Sequence, residues 1–222
     1  MQTRSRSVAA LASLLLLGAC DSPNAPDRSS FYEFRLSPSD PVFHWPATAL
    51  PVRFYADQVG ALPEYVALGV RMWERQFLYG EFRGELVSDS ADADVILSLQ
   101  GSAPPDGPLT DDPPVTSCTG VTSVPPTTEL GSGQLVYTER FQVQLQWFSR
   151  GSPSDIANCL ARVTAHEIGH TLGVFNHSPT PDDLMARSPT AREPTARDRA
   201  TVQILYHVRS DILPFSHGLL PP

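Results

Sequence analysis

Between Ser152 and Gly173 the chain spells out a complete helix that carries two histidines on one face, and this segment limits the fold more than any other. Ser152 can cap the start, Pro153 suits the first helical position, and Asp155 stands three residues beyond the cap, where a carboxylate closes a capping box. Ile156, Leu160 and Val163 mark a buried stripe, and Gly173 can take the left-handed conformation that ends the helix near Leu172. His166 and His170 lie one turn apart, so both imidazoles project from the same face and can meet a single metal ion. Glu167 sits about 100° further round the helix. That is too far to ligate easily, yet close enough to reach a water held by the metal.

A catalytic zinc takes three protein ligands and keeps one position open. Gly173 turns the chain and His177 follows four residues later, coming back toward the open side of the pair.

The run His166-Glu167-Ile168-Gly169-His170-Thr171-Leu172-Gly173-Val174-Phe175-Asn176-His177-Ser178 resembles the long zinc motif of the metzincin metallopeptidases. The serine after the last histidine is most similar to the matrixin branch. In that branch the third histidine stands three residues after the glycine, where this chain has Asn176; the ligand is assigned to His177 across one extra residue, with Asn176 as the competing donor, because a neutral imidazole binds zinc far better than an amide oxygen. Asp182-Asp183-Leu184-Met185 looks like the family's methionine turn, in which Met185 lies beneath the metal without binding it. Thr195-Ala196-Arg197-Asp198 makes a second capping box and opens a last helix through Val202, Leu205 and Tyr206.

The resemblance covers roughly residues 50–207. It implies an α+β fold of the zincin type, with a twisted mixed β-sheet, an active-site helix and a C-terminal helix. It implies zinc-dependent hydrolysis of peptide bonds in a protein or peptide substrate, with Glu167 as the base that activates the zinc-bound water. It also implies a substrate lying extended along an edge strand, for which residues 134–138 are the chosen segment. Two other readings stay open: a tethered, non-catalytic surface-binding protein that keeps zinc for structure, and a zinc hydrolase of cell-wall peptides.

The N-terminus reads as an address. Arg4 and Arg6 precede an uncharged run from Val8 to Ala19, the layout of a secretory signal too short to span a membrane as a helix. It ends in Leu17-Gly18-Ala19-Cys20, which resembles the lipobox of bacterial lipoproteins. The expected organisation is therefore a signal peptide over residues 1–19, a flexible tether over residues 20–30 behind a lipidated Cys20, and a catalytic domain over residues 31–222. An ordinary signal peptide with an incidental cysteine is the alternative. The expected location is the outer side of a bacterial membrane, periplasmic or at the cell surface, with a monomer held there by its lipid.

Cysteine and charge follow from this. With Cys20 assigned to lipid, Cys118 and Cys159 remain as a disulfide pair in a permissive compartment, or as two free thiols. The chain contains 16 basic residues, all arginine, against 24 acids; removing residues 1–19 leaves 14 against 24, a charge of −10. So acidic a domain is an improbable partner for nucleic acid.

Upstream of the zinc helix, Val52 and Phe54 start a short strand. Val66, Val70, Trp73 and Phe77 recur at helical spacing, with Gly80 placed to cap the end. Residues 83–88 and 94–100 read as strands, and residues 101–133 as a long loop rich in Pro, Gly, Ser, Thr and Asp. Asp106, Asp111 and Asp112 in that loop are candidate calcium ligands, against the plainer reading of a solvated acidic loop. Phe141, Val143, Leu145 and Trp147 alternate with three glutamines, the clearest strand in the sequence.

Overall fold

The computed structural model describes residues 30–112 and 117–216. Residues 1–29, on which the expected signal peptide, the Cys20 lipidation and most of the expected tether fall, lie outside the described residues. In chain order the elements begin with β1 (Val52–Ala56), α1 (Leu62–Glu74), β2 (Gly84–Leu86), β3 (Val95–Gln100) and β4 (Cys118–Ser123). They continue with β5 (Thr127–Glu129), β6 (Leu135–Tyr137), β7 (Phe141–Trp147), α2 (Pro153–Thr171), α3 (Ala196–His207) and β8 (Ile212–Leu213).

Period-two alternation builds the main sheet, whose order is β2-β1-β3-β7-β4. Its first four strands run parallel and β4 is antiparallel to β7. Register places Phe54 opposite Val95, Val95 opposite Phe141, and Leu97 opposite Val143, so one face of the three inner strands is continuously apolar and buried. The glutamines of β7 face the other way and are exposed.

The two long helices cross closely because a glycine sits at the contact. A Cβ at Gly69 would lie 2.8 Å from Ile168 Cδ1 and 3.2 Å from the Ala165 backbone. Beside it, Trp73 Nε1 donates to the Ala165 carbonyl at 2.7 Å. Both capping boxes form: Ser152 with Asp155 opens α2, and Thr195 with Asp198 opens α3. Gly173 takes φ +103° just past α2, and its missing Cβ admits the Phe43 carbonyl oxygen, which would otherwise lie 2.0 Å from that carbon.

Three sequence expectations need correction. Helix α1 stops at Glu74 rather than running to a cap at Gly80. Phe77 leaves the helix and packs on Phe82 and Tyr206, so its apolar surface is buried outside the helical stripe. Residues 101–133 are not one loop, since they contain β4 and β5. Strand β4 lacks an apolar face, with only Cys118 buried, and is held by pairing to β7. Residues 134–138 are not an edge. Strand β6 lies in the middle of a second sheet, order β5-β6-β8, with a neighbour on each side. The main sheet has edge strands β2 and β4, and β4 is the one packed against α2.

Cys118 and Cys159 are joined, with Cα atoms 5.8 Å apart and 41 residues of sequence separation. The bond ties the start of β4 to the middle of α2. Closing a loop of that length stabilises by roughly 4 kcal/mol in the chain-entropy model. Cys159→Ser is expected to lower the unfolding free energy in urea by about that amount, and reductant to do the same to the natural protein. Equal stability with and without reductant would count against it.

Candidate metal centre

Helix α2 delivers His166 and His170 to one face, and the Gly173 turn brings His177 to meet them. One nitrogen from each of the three imidazoles lies within 4.8 Å of the others, and no other group of three or more potential ligand side chains gathers this closely among the described residues. Asp106, Asp111 and Asp112 are not so gathered. Asp111 faces Arg192 at 3.7 Å and Asp112 accepts from the Thr110 hydroxyl.

The histidine tautomers are set by carbonyls. His166 Nδ1 lies 2.7 Å from the Leu184 carbonyl oxygen and His170 Nδ1 lies 2.6 Å from that of Val174. A nitrogen beside a carbonyl must donate, so each Nε2 carries only a lone pair. These two Nε2 atoms face each other at 3.1 Å. Two lone pairs repel at that distance unless they share a cation, so the donor set fits a metal ion. Burial pushes the His166 imidazole down to about 4 and that of His170 to about 3, which keeps both in the neutral, ligating form at pH 7. Burial, with the Arg187 charge added, also lowers His177. Asn176 turns inward on the chain, where its Oδ1 accepts the His177 backbone N–H at 2.9 Å.

The floor is built from the methionine turn. Met185 is fully buried against α2 at Gly169, where an added Cβ would lie 2.4 Å from the Met185 sulfur and 2.6 Å from the Trp73 ring. Ser178 N donates to the Met185 carbonyl at 2.8 Å, which binds the His177 loop to the turn. Asp198 holds the same turn from below. Its carboxylate accepts from the Leu184 N–H at 2.9 Å and from the Tyr32 hydroxyl at 2.8 Å, and Leu184 in turn orients His166. In the sequence Asp198 is legible only as part of a helix cap.

Glu167 is almost completely buried beside the imidazoles, and desolvation lifts its carboxyl to about 7 despite an opposing hydrogen bond from Thr122. Thr122 Oγ1 donates to Glu167 Oε2 at 2.6 Å. Gly120, also on β4, lies flat against the same side chain. A Cβ there would sit 2.6 Å from both Cγ and Oε1 of Glu167. Sequence reasoning missed both residues, because β4 looked like loop and a Thr and a Gly in a loop carry no signal.

Gly120→Ala forces a choice between strand and carboxylate. Cys118 is tethered by its disulfide and Gly120 is registered on Leu145, so the Glu167 side chain is the softer partner. If Glu167 serves as the base, displacing it by about 1 Å can cost on the order of 100-fold in rate. A loss of at least tenfold in kcat/KM, about 1.4 kcal/mol, with metal content unchanged, is the expected result; wild-type turnover would contradict the packing argument.

Residues 73–207 match the family model described as matrixin, a peptidase family, and no curated protein matches the chain. The match runs from the last turn of α1 to the end of α3, taking in the edge strand, the three histidines and the methionine turn. It covers more than half of the 222 residues, and on that ground the chain belongs to the matrixin family of zinc metallopeptidases.

Proposed function

We propose that this protein is a zinc-dependent endopeptidase acting on proteins or peptides outside the cytoplasm, with His166, His170 and His177 as metal ligands and Glu167 as the base. The observation that carries the reading is the Glu167 carboxylate, buried beside three converging imidazoles with one oxygen held by Thr122. A site that kept metal for structure alone has no use for a buried carboxylate aimed at it.

Zinc bound there supplies Lewis acidity, polarising a peptide carbonyl and acidifying water. The other steps belong to the chain. Thr122 fixes one oxygen of Glu167, and the other takes the proton from the attacking water and returns it to the leaving amine. The carbonyls of Leu184 and Val174 keep the imidazoles from rotating. Met185 and Trp73 close the space beneath them.

The substrate docks as an added strand on β4, which lies alone at its edge over α2. An antiparallel partner makes the more stable ladder. In that direction the residues after the scissile bond lie over the start of β4, and those before it lie over its end. Residues 31–222 form the catalytic unit in this reading, and lipid on Cys20 would hold it at the membrane through residues 20–30.

The test is to incubate the purified protein with casein and with peptidoglycan, each with a zinc chelator and after zinc is restored. Casein cleavage that the chelator abolishes and zinc restores is expected. Cleavage of peptidoglycan alone would move the substrate to cell-wall peptides, and cleavage of neither by zinc-loaded protein would reject the enzyme.

A further inference from the structure

A cleft of about 670 Å³ opens beside the three histidines, between the start of β4, the outer face of α2 and the segment 187–190 that follows the methionine turn. Two charged side chains other than Glu167 line it, and both are arginines. Arg162 stands one turn before His166 on α2, so it projects from the same face and lies in the wall next to the metal site. It is 9% exposed, and burial lowers its pKa, with the nearby Arg192 charge adding to the effect. Arg187 is exposed at the rim. Glu167, the lining carboxylate, is committed to the reaction, so the cleft has an excess of positive charge within a chain of net charge −8.

The other end of β4 offers a contrast. There a smaller pocket of about 300 Å³ is walled by Leu36, Val121, Val124 and Phe175, with no arginine. A substrate strand lying antiparallel on β4 presents the residue after the cut to the arginine cleft and the residues before it to the apolar pocket.

We propose, resting on the peptidase reading above, that Arg162 and Arg187 select an acidic side chain, Asp or Glu, in the position immediately following the scissile bond. A substrate carboxylate entering the cleft gives a guanidinium a charged acceptor in a water-poor wall, where such a contact is strong. A leucine there offers a guanidinium no charged acceptor. The volume admits a Glu side chain without rearrangement. Charge, rather than fit, makes the discrimination.

The experiment uses the purified, zinc-loaded protein and two synthetic peptides that differ only in Glu or Leu after the cut, with cut positions read by mass spectrometry. The expected result is a kcat/KM at least about tenfold higher for the Glu peptide, carried mainly by KM. The ratio should collapse in Arg187→Glu, whose rim position leaves the fold intact, and in Arg162→Leu. A Leu peptide cut as well as the Glu peptide would overturn the selectivity while leaving the peptidase standing. A Glu preference that survives both substitutions would overturn the assignment to these arginines. If the zinc-loaded protein cuts neither peptide nor casein, the peptidase reading falls and the proposal with it.

Discussion

Glu167→Gln is expected to keep a full complement of zinc and to lose nearly all turnover on casein, by about 10² to 10⁴-fold if general acid–base catalysis is what the carboxylate contributes. The substitution is nearly isosteric, so the amide oxygen can still accept the Thr122 hydroxyl, and the packing against Gly120 is preserved. The helix, the imidazoles and their carbonyl partners are untouched. What disappears is a group able to take a proton from water and hand it to the departing amine. Metal content by mass spectrometry and turnover on an unfolded substrate, measured on one preparation, separate the two roles. A variant with zinc and wild-type turnover would remove Glu167 from the mechanism. One without zinc would mean that the carboxylate supports the metal site instead.

The sequence carried those parts of the molecule that local chemistry specifies. A capping box, a helical stripe and a glycine stop defined α2 to within a residue of its observed end, and the two-residue alternation in β7 was equally plain. The histidine spacing followed from the helix alone. It did not carry what depends on distant pairing. Strand β4 has the sequence Cys118-Thr119-Gly120-Val121-Thr122-Ser123, with little apolar alternation, and it becomes a strand because β7 and the disulfide hold it in place. The residues that steady Glu167 were therefore hidden in what read as loop. The same applies to Asp198, whose role as a cap was evident but whose bonds to Leu184 and Tyr32 span 14 and 166 residues of chain. Residues 134–138 are expected at an edge but lie inside a sheet for a related reason. An apolar run identifies a strand, but only its neighbours decide whether that strand has a free side.

His177→Ala is the second large effect, because it removes one of three ligands rather than a proton carrier. With His166 and His170 alone the site is left with two protein donors and cannot complete a three-ligand catalytic zinc. Asn176 offers no substitute in its observed position, since its Oδ1 is engaged by the backbone N–H of residue 177. The matrixin spacing would have placed the ligand at 176, so the two neighbours make a sharp contrast. The deciding measurement is the zinc content of the purified natural protein beside His177→Ala and Asn176→Ala. One zinc per chain in the natural protein and in Asn176→Ala, with well under one in His177→Ala, is the result predicted. Full zinc in His177→Ala with loss in Asn176→Ala would contradict the three-histidine centre.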